Sequence, residues 1–71
     1  MTAQQEEYAR IGENIRKLRT ENELSQEKLA EKVEVDRSYI GFLERGQKNP
    51  TINTLYKIAK ALNVKLKDLF E

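Results

Sequence analysis

The sequence contains no cysteine and no histidine. The first absence excludes disulfides and thiolate sites. The second leaves carboxylates alone to hold a zinc ion, an unusual donor set. A nucleophile–base arrangement would have to pair Ser25 or Ser38 with a lysine or a carboxylate. Both serines sit at helix starts, where capping or backbone contacts explain them, so the chain is read as a non-enzyme without metal or cofactor. Proline occurs once, at Pro50, and glycine three times, at Gly12, Gly41 and Gly46. That leaves no glycine-rich phosphate loop and no linker. No apolar run exceeds three residues, far short of the roughly 20 needed to cross a bilayer. The opening MTAQQEEYAR has no apolar core, so no signal peptide is expected.

Seventy-one residues make one domain at most, and the expectation is a single domain over 1–71. Hydrophobic residues form 38% of the chain and are regularly spaced, which excludes a disordered polar tail. A core this small rarely supplies more than about 3–5 kcal/mol, so oligomerisation would help it. The formal net charge of +1 hides an uneven distribution. Residues 1–36 are net acidic. Residues 37–67 carry Arg37, Arg45, Lys48, Lys57, Lys60, Lys65 and Lys67 against Glu44 alone. Such a block suits a polyanionic partner, although a solvated lysine-rich surface is equally compatible with charge alone.

The apolar residues follow helical spacing throughout, and strand alternation is absent. Tyr8, Ile11, Ile15 and Leu18 predict an amphipathic helix over about 5–20. Ser25 reads as the N-cap of a second helix, with Leu24 and Leu29 as its hydrophobic staple and Leu29, Ala30 and Val33 on its buried face. Asp36 reads as the N-cap of a third, with Val35 and Ile40 as the staple. Gly46 is its left-handed C-terminal residue, and Pro50 blocks continuation. Only Glu34 and Val35 lie between the second helix and the Asp36 cap, so the two helices must cross steeply. That is helix-turn-helix geometry, over about 25–45. A fourth helix from near Thr51 to about Leu62 places Ile52, Leu55, Ile58, Ala59 and Leu62 on one face. A short fifth helix is expected from about Lys65, with Leu69 in the core and Asn63 as a C-terminal cap between the two. Helices four and five together span about 51–70.

On a wheel of about 100° per residue centred on Ile40, Leu43 stays on the core side of the third helix. Ser38, Gly41, Phe42 and Arg45 form the outward face, and Arg37 projects from the first turn. A helix entering the major groove end-on reads bases with such residues. Arg37 suits a bidentate bond to guanine, Ser38 a base or phosphate, and Phe42 a thymine methyl. Gly41, with no side chain, would allow close approach. The plain alternatives are a surface Arg37 paired with Asp36 or Glu34, and a Phe42 folded against Tyr39 or the 47–50 loop. Tyr39, Arg45, Lys48 and Asn49 border this face as phosphate candidates. Gln26, at the start of the second helix, suits a phosphate oxygen.

The stretch LSQEKLAEKVEVDRSYIGFLERG, residues 24–46, resembles the helix-turn-helix of the lambda-repressor-like, or xenobiotic-response-element, regulators. Counting from Gln26, Ala30 stands at the family's fifth place. Leu29, Val33, Val35, Ile40 and Leu43 occupy its apolar places. DRSYIGFLERG is most similar to the recognition helix of restriction-modification controller proteins, and KALNVKLKDLF to the ending of such regulators. The resemblance covers about residues 10–70. One place departs from it: the turn, usually glycine, is Glu34, and a non-glycine residue there costs roughly 1 kcal/mol.

The resemblance implies an all-α, five-helix lambda-repressor-like domain that binds double-stranded operator DNA and regulates transcription in a bacterial or phage-infected cytoplasm. It implies that Gln26 clamps the DNA backbone. A homodimer is expected, with Tyr56, Leu66 and Phe70 at its interface. No small-molecule ligand and no membrane are expected. The rival reading is an antitoxin or other protein-interaction module on the same fold. Finally, Glu44 falls at about 40° on the wheel, next to the buried stripe, and there it needs a cation. Arg19 at the end of the first helix is the candidate, an arrangement the resemblance also suggests. Local pairing of Glu44 with Lys48 or Arg45 is the alternative.

Overall fold

The computed structural model describes residues 3–71, with side chains from residue 5. It is all-helical over this range: α1 (Ala3–Glu21), α2 (Gln26–Val33), α3 (Arg37–Glu44), α4 (Ile52–Ala61) and a final 3₁₀ turn (Leu66–Leu69). The expected fifth helix is therefore a single 3₁₀ turn. Four residues are too few to repay α-helix nucleation. The turn is instead held by the Lys65 amide donating to Asp68 Oδ2 at 2.9 Å and by Asn14 Nδ2 of α1 donating to the Leu69 carbonyl at 2.9 Å. No helix among the described residues is long and apolar enough to cross a membrane.

Local chemistry sets the helix boundaries. Ser25 Oγ accepts the Lys28 amide at 3.0 Å, and Thr51 Oγ1 accepts the Thr54 amide at 3.1 Å. Both satisfy a donor that the helix itself leaves unpaired. Asp36 occupies the N-cap position of α3 with extended backbone, but its side chain makes no capping bond. Every α-helix closes in the same way. A left-handed residue turns the chain, its amide bonds back three residues, and the following amide bonds back five. The turning residues are Glu23 (φ 58°), Glu34 (φ 64°), Gly46 (φ 71°) and Asn63 (φ 63°). Glu34 therefore accepts the strain of the glycine place. Its amide and that of Val35 reach the carbonyls of Glu31 and Ala30 at 3.3 and 3.0 Å.

α1 packs on α3, α3 on α2, α2 on α4, and the C-terminal turn bridges α4 and α1. The core between them is aliphatic. Ile15, Leu29, Ile40, Ile58, Leu62 and Leu69 are completely enclosed, and Ile11, Ala30, Val33, Leu43, Leu55 and Ala59 complete it. Gly12 lets α1 approach α3. A Cβ there would press on the backbone carbonyl oxygens of Leu43 and Glu44, the latter 2.8 Å away. Ile52, expected on the core face of α4, is instead 63% exposed. It is the first residue of α4, whereas the buried residues of that helix, Leu55, Ile58 and Ala59, begin three positions further on. Its angle on the helix is right, but the surfaces that bury its neighbours stop short of it.

Candidate nucleic-acid interface

Three elements converge on the Glu44 carboxylate, at the last position of α3. Arg19, from the last turn of α1, donates from Nε to Glu44 Oε2 at 2.6 Å and from Nη2 to Oε1 at 3.1 Å. Its remaining nitrogen, Nη1, donates to the Leu24 carbonyl at 2.7 Å. Gln26, the first residue of α2, donates from Nε2 to Glu44 Oε1 at 3.0 Å. The carboxylate side chain is 3% exposed and the guanidinium side chain 11%. Both oxygens of a buried charge are thus occupied by charge-matched or amide donors, the condition under which such a charge is tolerated. The expected partners lie in contact, and Gln26 is an additional participant that the spacing gave no reason to include. This cluster ties α1, the start of α2 and the end of α3 into one unit.

That unit holds α3 with an outward face rich in donors. Arg37 and Ser38 are exposed at its N-terminal end. Among the described residues Arg37 forms no ion pair, so its guanidinium fork remains open to a ligand. Phe42 is 38% exposed. Its ring has Arg45 Cζ at 5.1 Å and Lys48 Nζ at 5.5 Å from its centroid, both within cation–π range. Phe42 also lines a cleft of about 420 Å³ with Val35, Asp36, Ser38, Tyr39, Lys48 and Thr54. Tyr39 is half-buried with its ring against the core, while Lys48 and Asn49 are exposed in the loop beyond α3. Gln26 stands half-buried at the edge of the same face.

Gly41 departs from expectation. It is buried, not open for close approach. The Arg45 guanidinium and the Gln26 amide cover it, with Nη1 of Arg45 3.3 Å from where a Cβ would stand. The wheel gives the direction of a residue but not the long neighbours that fold across it.

The three residues expected at a dimer contact are not all together. Tyr56, 57% exposed, and half-buried Leu66 share an apolar groove of about 340 Å³ with Ala59, Lys60, Val64 and Lys65. Phe70, 41% exposed, is not among the residues lining it. Ile52 adds apolar surface one turn before Tyr56 on α4, a contribution the periodicity had assigned to the core.

Two short helices joined by a three-residue turn, the second presenting a polar and cationic face, define a helix-turn-helix domain. A family model described as helix-turn-helix matches residues 15–69. The chain belongs to that helix-turn-helix family. Among its relatives is the control protein C.SmaI of Serratia marcescens, 48% identical over 59 residues, which cover 83% of this chain and 70% of that protein. The restriction-modification controller protein C.AhdI from Aeromonas hydrophila has a similar structure, with a TM-score of 0.86 at 43% identity, covering 89% of this chain and 96% of the other. The biofilm master regulator SinR, solved in complex with DNA, matches with a TM-score of 0.81 at 37% identity, covering 86% of this chain and 98% of the other.

Proposed function

We propose that this protein binds a double-stranded operator as a homodimer and regulates transcription, as a controller of a restriction-modification gene cluster. The observation that carries the reading is the outward face of α3. Arg37 and Ser38 are exposed at its N-terminal end, and Phe42 lies within reach of both Arg45 and Lys48 at the other, on a helix whose last position is held by Arg19 and Gln26 through Glu44. A cationic, donor-rich face of this kind matches phosphate and base edges, and it lacks the large apolar centre typical of a protein hot spot. Arg37, Ser38 and Phe42 are the base contacts. Gln26, Tyr39, Arg45, Lys48 and Asn49 hold the backbone. Similarity to C.SmaI and C.AhdI supports the controller role. The reading implies work in the cytoplasm, on the nucleoid.

One recognition helix covers too few base pairs for tight specific binding. A two-fold dimer with its recognition helices about 34 Å apart would match half-sites one helical turn apart. The exposed apolar surface of Ile52, Tyr56 and Leu66 is where a second copy fits, with Phe70 at its margin. The test is a salt titration of binding to duplexes taken from the promoter region upstream of its own gene. The logarithm of affinity should fall steeply and linearly with the logarithm of salt concentration, with a clear preference for one duplex over random sequence. Absence of binding at low salt, or binding insensitive to salt, would overturn the reading.

A further inference from the structure

Gly41 lies inside α3, where glycine weakens a helix relative to alanine. Its backbone is not left-handed: Gly46 alone among the described glycines has a positive φ. Conformation therefore does not call for glycine there, but the space above it does. A Cβ on Gly41 would stand 3.3 Å from Arg45 Nη1, 3.8 Å from Nη2 and 3.8 Å from Gln26 Oε1. The guanidinium of Arg45 thus lies back across the helix on a floor where a methyl would crowd Nη1 and push it outward by a few tenths of an ångström. Two further contacts keep it there. Its Nε donates to Gln47 Oε1 at 3.0 Å, and its Cζ sits 5.1 Å from the Phe42 ring centroid. Among the described residues Nη1 and Nη2 have no acceptor.

We propose that Gly41 is a positioning residue: its missing Cβ makes the floor of a cradle that holds the Arg45 guanidinium ready for a DNA backbone phosphate. The inference rests on the DNA-binding reading above. A guanidinium fork with two unpaired nitrogens fits a phosphate oxygen pair. An arginine already ordered before binding loses less side-chain freedom on contact. Gln26 turns its acceptor Oε1 toward the same floor and gives Nε2 to Glu44, so the donors offered to the phosphate there are those of Arg45.

The test compares Gly41→Ala, Arg45→Ala and the double variant by thermal melting and by salt-dependent binding to operator and random duplexes. The added methyl meets only the far end of a flexible side chain, so Gly41→Ala should melt at the same temperature as the wild type or higher. Its affinity should nevertheless fall about tenfold on both duplexes, as for a lost charge-assisted hydrogen bond. Its salt slope should fall by about one per protomer. In the Arg45→Ala background the same substitution should change neither. Wild-type affinity and slope for Gly41→Ala would refute the inference, as would an equal loss in the Arg45→Ala background, which would mean that the helix backbone itself approaches DNA. A wild-type protein that binds no duplex overturns the DNA-binding reading as well, whereas wild-type binding with an indifferent Gly41→Ala overturns this inference alone.

Discussion

Replacing Glu44 by glutamine removes a charge and almost no volume, yet the geometry leaves the new side chain no good orientation. Oε2 accepts from Arg19 Nε at 2.6 Å, and Oε1 accepts from both Arg19 Nη2 and Gln26 Nε2. If the glutamine carbonyl takes the Oε1 place, its NH2 faces Arg19 Nε, donor against donor. If it takes the other place, its NH2 faces two donors. Either way the Arg19 charge, in a side chain only 11% exposed, loses its counter-ion. Removing one partner of a buried pair costs about 3–5 kcal/mol. A domain of this length holds about 4–10 kcal/mol in all, at about 0.05–0.15 kcal/mol per residue. With roughly 4–8 °C lost per kcal/mol in domains of this size, the melting temperature should fall by at least about 12 °C. Arg19→Met should be equally severe, because it strands the carboxylate with Gln26 alone. The double variant has no buried charge, and its glutamine is free to bond Gln26, so its penalty should be far smaller than the sum of the two. Denaturant midpoints for the three variants give the coupling energy directly. Small single losses that simply add would refute the account of Glu44 as a buried, three-donor acceptor.

Three further expectations follow from other parts of the molecule. Arg37→Ala should lower operator affinity by roughly 1–3 kcal/mol per half-site and relax preference at one base position, whereas Lys48→Ala should weaken all duplexes alike and lower the salt slope; an equal loss on specific and random DNA would make Arg37 a phosphate contact instead. Glu34→Gly, at φ 64°, should stabilise the fold by up to about 1 kcal/mol, read as a higher denaturation midpoint, and no gain would mean that the left-handed turn carries no strain. Tyr56→Glu should hold the protein monomeric in sedimentation at tens of micromolar, while a variant that still dimerises would move the contact away from the α4 groove.

Local features were legible in the sequence and shared surfaces were not. Ser25, Thr51, Gly46 and Asn63 mark helix ends because a cap depends on a few neighbouring residues. The left-handed Glu34 was visible only as a departure from a familiar pattern, and Glu23 carried no sign at all. Ile52 was misplaced because a wheel gives direction and does not know where the opposing surface ends. The burial of Gly41 has a related cause, since Arg45 and Gln26 reach over it from outside the turn. Gly12 did carry a signal. A glycine within an amphipathic helix should have a packing reason, and here it is the approach of α3's last carbonyls. Gln26 joins Glu44 from 18 residues away, a separation at which no spacing rule operates.

The close seating of α3 on α1 bears on which partner yields when protein and operator meet. At one end of α3 the carbonyls of Leu43 and Glu44 rest on Gly12, with no side chain between to act as a cushion. The Arg19 fork and the Gln26 amide then lock the same end to two other helices. A reading head held this way is stiff at that end, with little room there to follow a half-site that is slightly out of phase. Mismatch must then be absorbed by the DNA, which bends and untwists most readily at pyrimidine–purine steps. On the DNA-binding reading, selectivity should therefore extend to base pairs that no side chain reaches. Changing only the spacer between half-sites from a flexible step to a rigid A-tract should weaken binding, and indifference to that change would place the compliance in the protein after all.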